Sequence, residues 1–283
     1  MGRVKLKEVI KRYIKGMAPI NVHVNNVTLA PNELLRGKNA VVTGASRGIG
    51  KAVAKAMIES GANVVALARN EEQLQKTREE FASDKYIPYP CDVAKVREID
   101  GHIEKISQKF DNNKIDILVN CAGVKNGNDE RFLEYTPDEF DYVIDANLKG
   151  MFFWCQGIAK HMLAKEIKGH IVNVTSIKGF IGEASPYSLS KWGCTSLTKG
   201  LARMLGPKGI VVNGIAPGGT KTDMANLKDE SMLHLATPSM RLADPNEIAN
   251  IAVFLASDLG SNIMGDIIIS DGGQILQYGN DRY

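Results

Sequence analysis

The chain contains 283 residues, of which 44% are hydrophobic and 24% are charged. This composition is ordinary for a globular protein, and the length suits one large α/β domain or, as a weaker alternative, two small ones. The formal net charge of +3 is too small to indicate a nucleic-acid-binding protein by itself.

The cysteine pattern and the apolar segments exclude several further classes. No pair among Cys91, Cys121, Cys155 and Cys194 has C-x-x-C spacing, so neither a zinc site nor a redox pair is predicted, and no metal is expected. No stretch is long and apolar enough to span a bilayer, and basic residues interrupt the apolar content of the N-terminus. We therefore expect a cytoplasmic protein with reduced thiols and no membrane partner.

Residues 1–36 form a basic extension, with a net charge of +5 that leaves −2 for residues 37–283. We expect this extension to be a short amphipathic helix and a linker. A helix this short is marginal alone in water, so we expect it to dock on the protein's own oligomer. An anionic membrane surface or a further partner are the alternatives. The helix is predicted because apolar residues recur at helical spacing, at Leu6, Val9, Ile10, Tyr13, Ile14 and Met17.

From Asn39 onward, short runs rich in Val and Ile alternate with longer helical patterns. The pattern predicts a single doubly wound, Rossmann-like α/β domain over residues 37–283, with a seven-stranded, mostly parallel sheet and helices on both faces. Strands are expected near residues 39–43, 63–68, 85–89, 115–120, 169–175, 209–215 and 265–269. Helices are expected near residues 48–60, 71–82, 95–110, 137–165, 187–206 and 245–257.

The segment Thr43–Gly50 directly follows the first predicted strand and opens a helix. Its G-x-x-x-G-x-G spacing places glycines where a backbone must turn tightly and approach a pyrophosphate closely. The start of the helix adds unpaired N–H groups and the positive end of the helix dipole. This predicts a dinucleotide phosphate site at Gly44, Ser46, Arg47, Gly48, Ile49 and Gly50.

The end of the second predicted strand bears on the choice between NADP and NAD. NAD enzymes usually place Asp or Glu there to bind the ribose 2′-hydroxyl, whereas this chain has Ala68 followed by Arg69. Arg69 and Arg47 together would make a pocket for a 2′-phosphate. We therefore expect NADP(H) as the cofactor, with NAD(H) as the alternative.

Tyr187 and Lys191 stand four residues apart in a predicted helix and so share one face. A free tyrosine has a pKa of about 10, too high for easy proton exchange near neutral pH, and a neighbouring ammonium favours the phenolate. The pair therefore predicts a tyrosine acid/base supported by a lysine.

With these motifs, the chain resembles the short-chain dehydrogenase/reductase family over about residues 37–275. Asn120-Cys121-Ala122-Gly123 is similar to the family's N-N-A-G motif, from which Cys121 departs. The segment Ala216–Thr222 and the C-terminal half resemble bacterial 3-oxoacyl-[acyl-carrier-protein] reductases most in pattern. The resemblance implies further cofactor contacts at Asp92, Val93, Asn120, Ala122, Gly123, Tyr187, Lys191, Pro217, Gly218, Thr220 and Thr222.

The resemblance also implies a set of four catalytic residues. Tyr187 would exchange a proton with the substrate oxygen, Ser176 would hydrogen-bond that oxygen, Lys191 would support Tyr187 and bind the nicotinamide ribose, and Asn147 would help to hold a proton-relay water. The expected reaction is the reduction of a carbonyl, such as a 3-oxoacyl thioester or a similar ketone, to a secondary alcohol by hydride transfer.

Several alternatives remain at this level. An NAD(H)-dependent sugar, polyol or steroid-type alcohol dehydrogenase would carry similar motifs, and some members of this fold bind dinucleotide without turnover. A nucleic-acid-binding role would rest only on the basic N-terminus and is not expected. The expected partners are a small-molecule substrate, which a carrier could hold, and further copies of the chain. By resemblance, helices 137–165 and 187–206 would form a homodimer or, in preference, a homotetramer.

Overall fold

The computed structural model describes residues 33–127, 129–225, 232–234 and 237–277. Within these residues one sheet of seven strands has the order β3-β2-β1-β4-β5-β6-β7, and all its neighbouring pairs are parallel. The predicted doubly wound sheet is therefore confirmed. Its strands are β1 (Asn39–Thr43), β2 (Asn63–Ala68), β3 (Tyr86–Pro90), β4 (Ile117–Asn120), β5 (His170–Val174), β6 (Val211–Pro217) and β7 (Ile267–Ser270).

The central strands are apolar because helices cover both faces of the sheet. Every residue of β1, β4, β5 and β6 is buried, as the runs of Val and Ile without alternation predict. Helices pack on one face around Met57, Leu74 and Ile248 and on the other around Ile103 and Trp154. They are α1 (Gly48–Glu59), α2 (Glu71–Phe81), α3 (Ile99–Ser107), α4 (Pro137–Ile144), α5 (Gly150–Ala164), α6 (Pro186–Leu205) and α7 (Pro245–Ala256).

The helix predicted over 137–165 is not one continuous α-helix. A π-helical turn, Asp145–Lys149, separates α4 from α5. A π turn adds a residue without changing the apolar pattern enough to be visible in the sequence, and such turns occur often at functional sites. The helix predicted over 95–110 is also shorter, since a 3-10 turn (Val96–Glu98) precedes α3.

The strand order reverses beside β1, because β2 lies on one side of it and β4 on the other. In open parallel sheets, ligands bind in the crevice outside the carboxyl ends of the strands at such a reversal. The fold therefore places the crevice where the glycine-rich segment leaves β1. No helix among the described residues is long and apolar enough to cross a membrane.

The predicted N-terminal helix lies in residues 1–32, outside the described residues. The division of the chain at residue 37 also stays a prediction. Just before it, Leu35 is fully buried in the core cluster that contains α1 and α7. Its backbone N–H donates to the Ser60 carbonyl at 2.9 Å. The chain is thus anchored to the end of α1 immediately before β1 begins.

Candidate active site

The glycine-rich turn between β1 and α1 presents bare backbone. Gly44 has a φ of +69°, and a Cβ there would lie 2.9 Å from the Cα of Ala122. A Cβ at Gly50 would lie 2.2 Å from the Gly44 carbonyl oxygen, so neither position accepts a side chain. Arg47, the N-cap of α1, makes no side-chain bond to the first turn of that helix. The first N–H groups of α1 are therefore available to an anion such as a pyrophosphate.

A cleft opens on the β2 side of this turn, lined by residues at the ends of β1, β2, β3 and β4. Its walls are largely apolar, as a flat aromatic base requires, and several residues predicted to bind cofactor meet there: Gly44, Arg69, Asp92, Val93, Ala122 and Gly123. Tyr142, Asp145 and Ala146 close the same cleft, and the sequence did not predict them. They come from the end of α4 and from the π turn, whose position no motif marks.

A further pocket adjoins this cleft at the N-terminus of α2. It is lined by Ser46, Arg47, Ala68, Arg69, Asn70, Gln73 and Asp223. The structure therefore brings the two predicted arginines to one place, beside a residue too small to exclude an anion. The Asn70 side chain caps α2 by accepting from the Gln73 N–H at 2.8 Å. Asp223, which the sequence did not predict, faces Arg47 across the pocket, with Oδ2 3.7 Å from Nη1.

A second cleft lies on the β5 and β6 side of the glycine-rich turn. It gathers several predicted residues from segments far apart in the chain, namely Ile49, Gly123, Ser176, Tyr187, Lys191, Pro217, Gly218, Thr220 and Thr222. The segment after β6 reaches the glycine-rich turn directly, because a Cβ on Gly48 would lie 3.3 Å from Thr222 Cγ2. Gly123 lines both clefts, so together they make one continuous path past the end of β4.

The Lys191 side chain is buried and fixed. It is only 5% exposed, and its Nζ donates to the Val174 carbonyl at 3.1 Å. The same nitrogen lies 5.6 Å from the centroid of the Tyr187 ring. The Lys191 ammonium therefore lies beside the ring of the half-buried Tyr187 at the wall of the cleft, as the spacing of the two residues on α6 predicts.

Asn147 lies in the π turn and is fully buried. Its Oδ1 accepts from the Val124 N–H at 2.7 Å, and its Nδ2 donates to the Val124 carbonyl at 2.9 Å and to Ser190 Oγ at 3.1 Å. The side chain thus ties the loop after β4 to the helix that carries Tyr187 and Lys191. Asn147 is therefore a buried, hydrogen-bonded residue and does not lie on the helix surface.

Ser176 begins the segment between β5 and α6. Its Oγ accepts from the Lys178 N–H at 3.2 Å, and the side chain faces the second cleft. The rest of the segment is held by Glu183, whose carboxylate forms an ion pair with Lys178 and accepts from Ser188 Oγ at 2.8 Å. These contacts connect the residues that follow Ser176 to the first turn of α6, so Ser176 and Tyr187 are positioned together.

The turn after β4 is held by polar contacts that point away from the clefts. The Asn120 side chain is buried and donates to Asn173 Oδ1 at 2.9 Å. Asn120 is not among the described residues that line the two clefts, so its predicted cofactor contact stays a prediction. The N–H groups of Cys121 and Ala122 both donate to Thr43 Oγ1 at 3.0 Å. Burial raises the pKa of the Cys121 thiol to about 12, so it is neutral near pH 7.

The donor set therefore fits a dinucleotide: bare glycine backbone, a free helix N-terminus, an apolar cleft and a lysine–tyrosine pair lie along one path. Among the described residues, no group of three or more His, Cys, Asp or Glu side chains is placed to hold a metal ion.

Comparison with known proteins agrees with this arrangement. A family model described as enoyl-(acyl carrier protein) reductase matches residues 44–274. The chain is 37% identical over 252 residues to a 3α-hydroxysteroid dehydrogenase of Mediterraneibacter gnavus, a match that covers 84% of this chain and 97% of the relative. It is 34% identical over 247 residues to a 3-oxoacyl-[acyl-carrier-protein] reductase of Aquifex aeolicus, covering 84% and 98%.

Solved structures show the same relationship. A putative short-chain alcohol dehydrogenase from Sinorhizobium meliloti 1021 superimposes with a TM-score of 0.77 at 35% identity, over 86% of this chain and 98% of that one. The family uses a nicotinamide dinucleotide, which the clefts described above fit. The chain belongs to the short-chain dehydrogenase/reductase family of oxidoreductases, close to the 3-oxoacyl-[acyl-carrier-protein] reductases.

Proposed function

We propose that the protein is an NADP(H)-dependent oxidoreductase that reduces a carbonyl to a secondary alcohol, with Tyr187 as the acid/base. The observation that carries the proposal is the convergence of Ser176, Tyr187 and Lys191 in one cleft beside the glycine-rich turn. Oxidation of the alcohol is the reverse of the same step and uses the same residues.

Each part of the dinucleotide has a set of residues that would hold it. The Gly44–Gly50 turn and the start of α1 would bind the phosphates, and Asp92 and Val93 would contact the adenine. The nicotinamide end would lie against the segment after β6, at Pro217, Gly218, Thr220 and Thr222. When bound, the nicotinamide supplies the hydride.

The side chains supply proton transfer and charge stabilisation. Tyr187 donates its phenolic proton to the substrate oxygen as negative charge develops there, a contribution of about 10²- to 10⁴-fold for a well-placed acid. Ser176 Oγ donates a hydrogen bond to the same oxygen. The ammonium of Lys191 stabilises the charge left on Tyr187. Asn147 fixes the loop after β4 against α6, which carries Tyr187 and Lys191, and so positions the groups that transfer the proton.

The preference for NADP(H) is supported by the pocket at the N-terminus of α2. Arg47 and Arg69 both line it, and Ala68 stands where an NAD enzyme usually carries an acid. Two guanidiniums make charge-assisted hydrogen bonds with a phosphate and have no comparable partner in a hydroxyl.

Two substrate classes have support among the relatives. The 3-oxoacyl-[acyl-carrier-protein] reductases suggest a 3-oxoacyl thioester, which a carrier protein could present. The 3α-hydroxysteroid dehydrogenase, which is 37% identical, supports a 3-ketosteroid as the second candidate. We favour the thioester because reductases of that name recur among the relatives.

A homo-oligomer is part of the proposal. Aromatic and aliphatic side chains at least 40% exposed lie along α4, α5 and α6, namely Phe140, Tyr142, Phe152, Leu189 and Trp192. Exposed apolar surface of this extent on neighbouring helices is typical of an interface between subunits.

Absorbance at the NADPH band tests the function. Acetoacetyl thioesters and 3-ketosteroids are offered to the full chain with NADPH or NADH, and the Tyr187→Phe variant serves as the matched control. We expect thioester-dependent oxidation of NADPH, a loss of at least about a hundredfold in Tyr187→Phe, and unchanged NADPH binding by fluorescence. Near wild-type turnover in Tyr187→Phe would contradict the acid/base assignment. Binding of NADPH without reduction of any carbonyl would support the non-catalytic alternative.

A further inference from the structure

We propose that Asp223 is a specificity-determining residue that opposes a phosphate at the 2′ position of the dinucleotide. The inference rests on the proposed function, because it concerns the pocket assigned above to the 2′-phosphate. Asp223 belongs to none of the motifs that predicted the cofactor site, and it reaches the pocket from the segment that follows β6.

Asp223 lines the same pocket as Arg47 and Arg69. Its Oδ2 lies 3.7 Å from Arg47 Nη1, within the range of an ion pair. A phosphate that binds Arg47 in this pocket must approach the Asp223 carboxylate or displace it, because both anions seek the same guanidinium.

The pocket contains two guanidiniums and one carboxylate, so Asp223 cancels part of the positive potential that would attract a 2′-phosphate. A ribose 2′-hydroxyl has no charge, and its hydrogen is one that a carboxylate can accept. Asp223 should therefore weaken the binding of a 2′-phosphorylated ligand while leaving a ligand with a free 2′-hydroxyl little changed.

The side chains of Arg47 and Asp223 are 68% and 73% exposed, so their ion pair is screened by water and is weak enough to be displaced. The residues on either side of Asp223 connect it to the second cleft, where the nicotinamide would lie. Thr222 contacts the glycine-rich turn at Gly48, and Met224 lines the second cleft. Displacement of Asp223 by a 2′-phosphate would therefore also move residues that line the second cleft, where the nicotinamide would lie.

Two small ligands that differ only in the 2′ group test the proposal: adenosine 2′,5′-bisphosphate and adenosine 5′-monophosphate. Their dissociation constants are measured by titration calorimetry on the full chain and on Asp223→Asn. Asp111→Asn is the control for net charge, because Asp111 is exposed in the turn before β4, at the amino-terminal ends of the parallel strands, whereas the pocket lies at their carboxyl ends. Melting temperatures establish that both variants are folded.

We expect Asp223→Asn to bind the bisphosphate about two- to fivefold more tightly, with the monophosphate unchanged and the gain reduced at high salt. Unchanged or weaker binding of the bisphosphate, or an equal gain in Asp111→Asn, would overturn the proposal. The outcome for NADP(H) is separate. If wild-type protein binds the two ligands equally but Asp223→Asn gains affinity only for the bisphosphate, the proposed cofactor preference is wrong and the role of Asp223 stands.

Discussion

Ala68 stands where a larger or charged side chain would decide whether the pocket at the N-terminus of α2 accepts a 2′-phosphate or a 2′-hydroxyl. It lines both the cleft on the β2 side of the glycine-rich turn and the pocket that contains Arg47 and Arg69. An acid there would accept a hydrogen bond from a 2′-hydroxyl and repel a 2′-phosphate.

Ala68→Asp should therefore weaken NADPH binding by roughly ten- to a hundredfold, as expected for loss of hydrogen bonds to a charged group, and should leave NADH binding unchanged or stronger. Fluorescence titrations with both cofactors measure this, and Ala68→Asn, which has nearly the same shape without the charge, is the control. Equal losses for the two cofactors in Ala68→Asp would indicate a steric effect and contradict the charge argument.

Among single residues, those that act together within a short sequence motif were predictable, whereas those that reach the site from distant parts of the chain were not. The spacing of Tyr187 and Lys191 suffices because four residues on a helix share a face, and the structure places Lys191 Nζ near the tyrosine ring. Asp223 could not be found in this way. Its role depends on a tertiary approach to Arg47, between residues 176 positions apart in the chain. The contacts of Thr43 could not be found in this way either, because the N–H groups that donate to its Oγ1 belong to Cys121 and Ala122, just after β4.

At the scale of elements, strands and most helices follow from apolar periodicity, because burial on two faces or on one face imposes different patterns. The π turn at Asp145–Lys149 does not, since it shifts the register of one turn by a single residue. That shift places Asn147 inward, where it bonds to Val124 and Ser190.

The start of α7 carries a pH-dependent contribution to stability. Asp244 is the N-cap in a capping box with Glu247, and Arg241 binds Glu247 through two hydrogen bonds of 2.7 and 2.6 Å. The Arg241 guanidinium, and then the Asp244 N–H, hold the pKa of Glu247 below its ordinary value. Because the folded pKa is the lower one, this stabilisation is present above the pKa of an unfolded glutamate and is lost as pH falls through the folded value.

Glu247→Gln should lower the free energy of unfolding by about 1 kcal/mol near neutral pH. The difference from wild type should shrink as pH falls below the range where an unfolded glutamate titrates, about pH 4.3. Urea denaturation at several pH values measures both quantities. Glu59→Gln is the control, because Glu59 makes only an exposed contact with Lys55 at 4.0 Å. A constant difference across the pH range would show that charge on Glu247 is not responsible.

At the scale of the whole molecule, the charge distribution separates the N-terminal extension from the rest. Residues 1–36 carry a net charge of +5 and residues 37–283 carry −2. The described part of the chain begins at residue 33 and is anchored at once, with Leu35 in the core beside the end of α1. The preceding residues therefore join the folded domain close to the start of β1.

Deleting residues 1–30 tests whether the extension docks on the oligomer. An amphipathic segment too short to be stable alone must gain its order from packing, so removing it should lower the melting temperature or alter the oligomeric mass measured by light scattering. Turnover through Tyr187 should persist, because the described residues that line the two clefts all follow β1 in the chain.

A full-length variant separates packing from charge. Leu6→Ser combined with Ile10→Ser removes apolar surface from the predicted helix while retaining every basic residue. If the extension docks by its apolar face, this variant should reproduce the effect of the deletion on melting temperature or mass. If instead the deleted protein keeps both its melting temperature and its mass but loses binding to anionic vesicles, the docking prediction is wrong. The basic face then serves a membrane surface, the alternative that its lysines and arginines also permit.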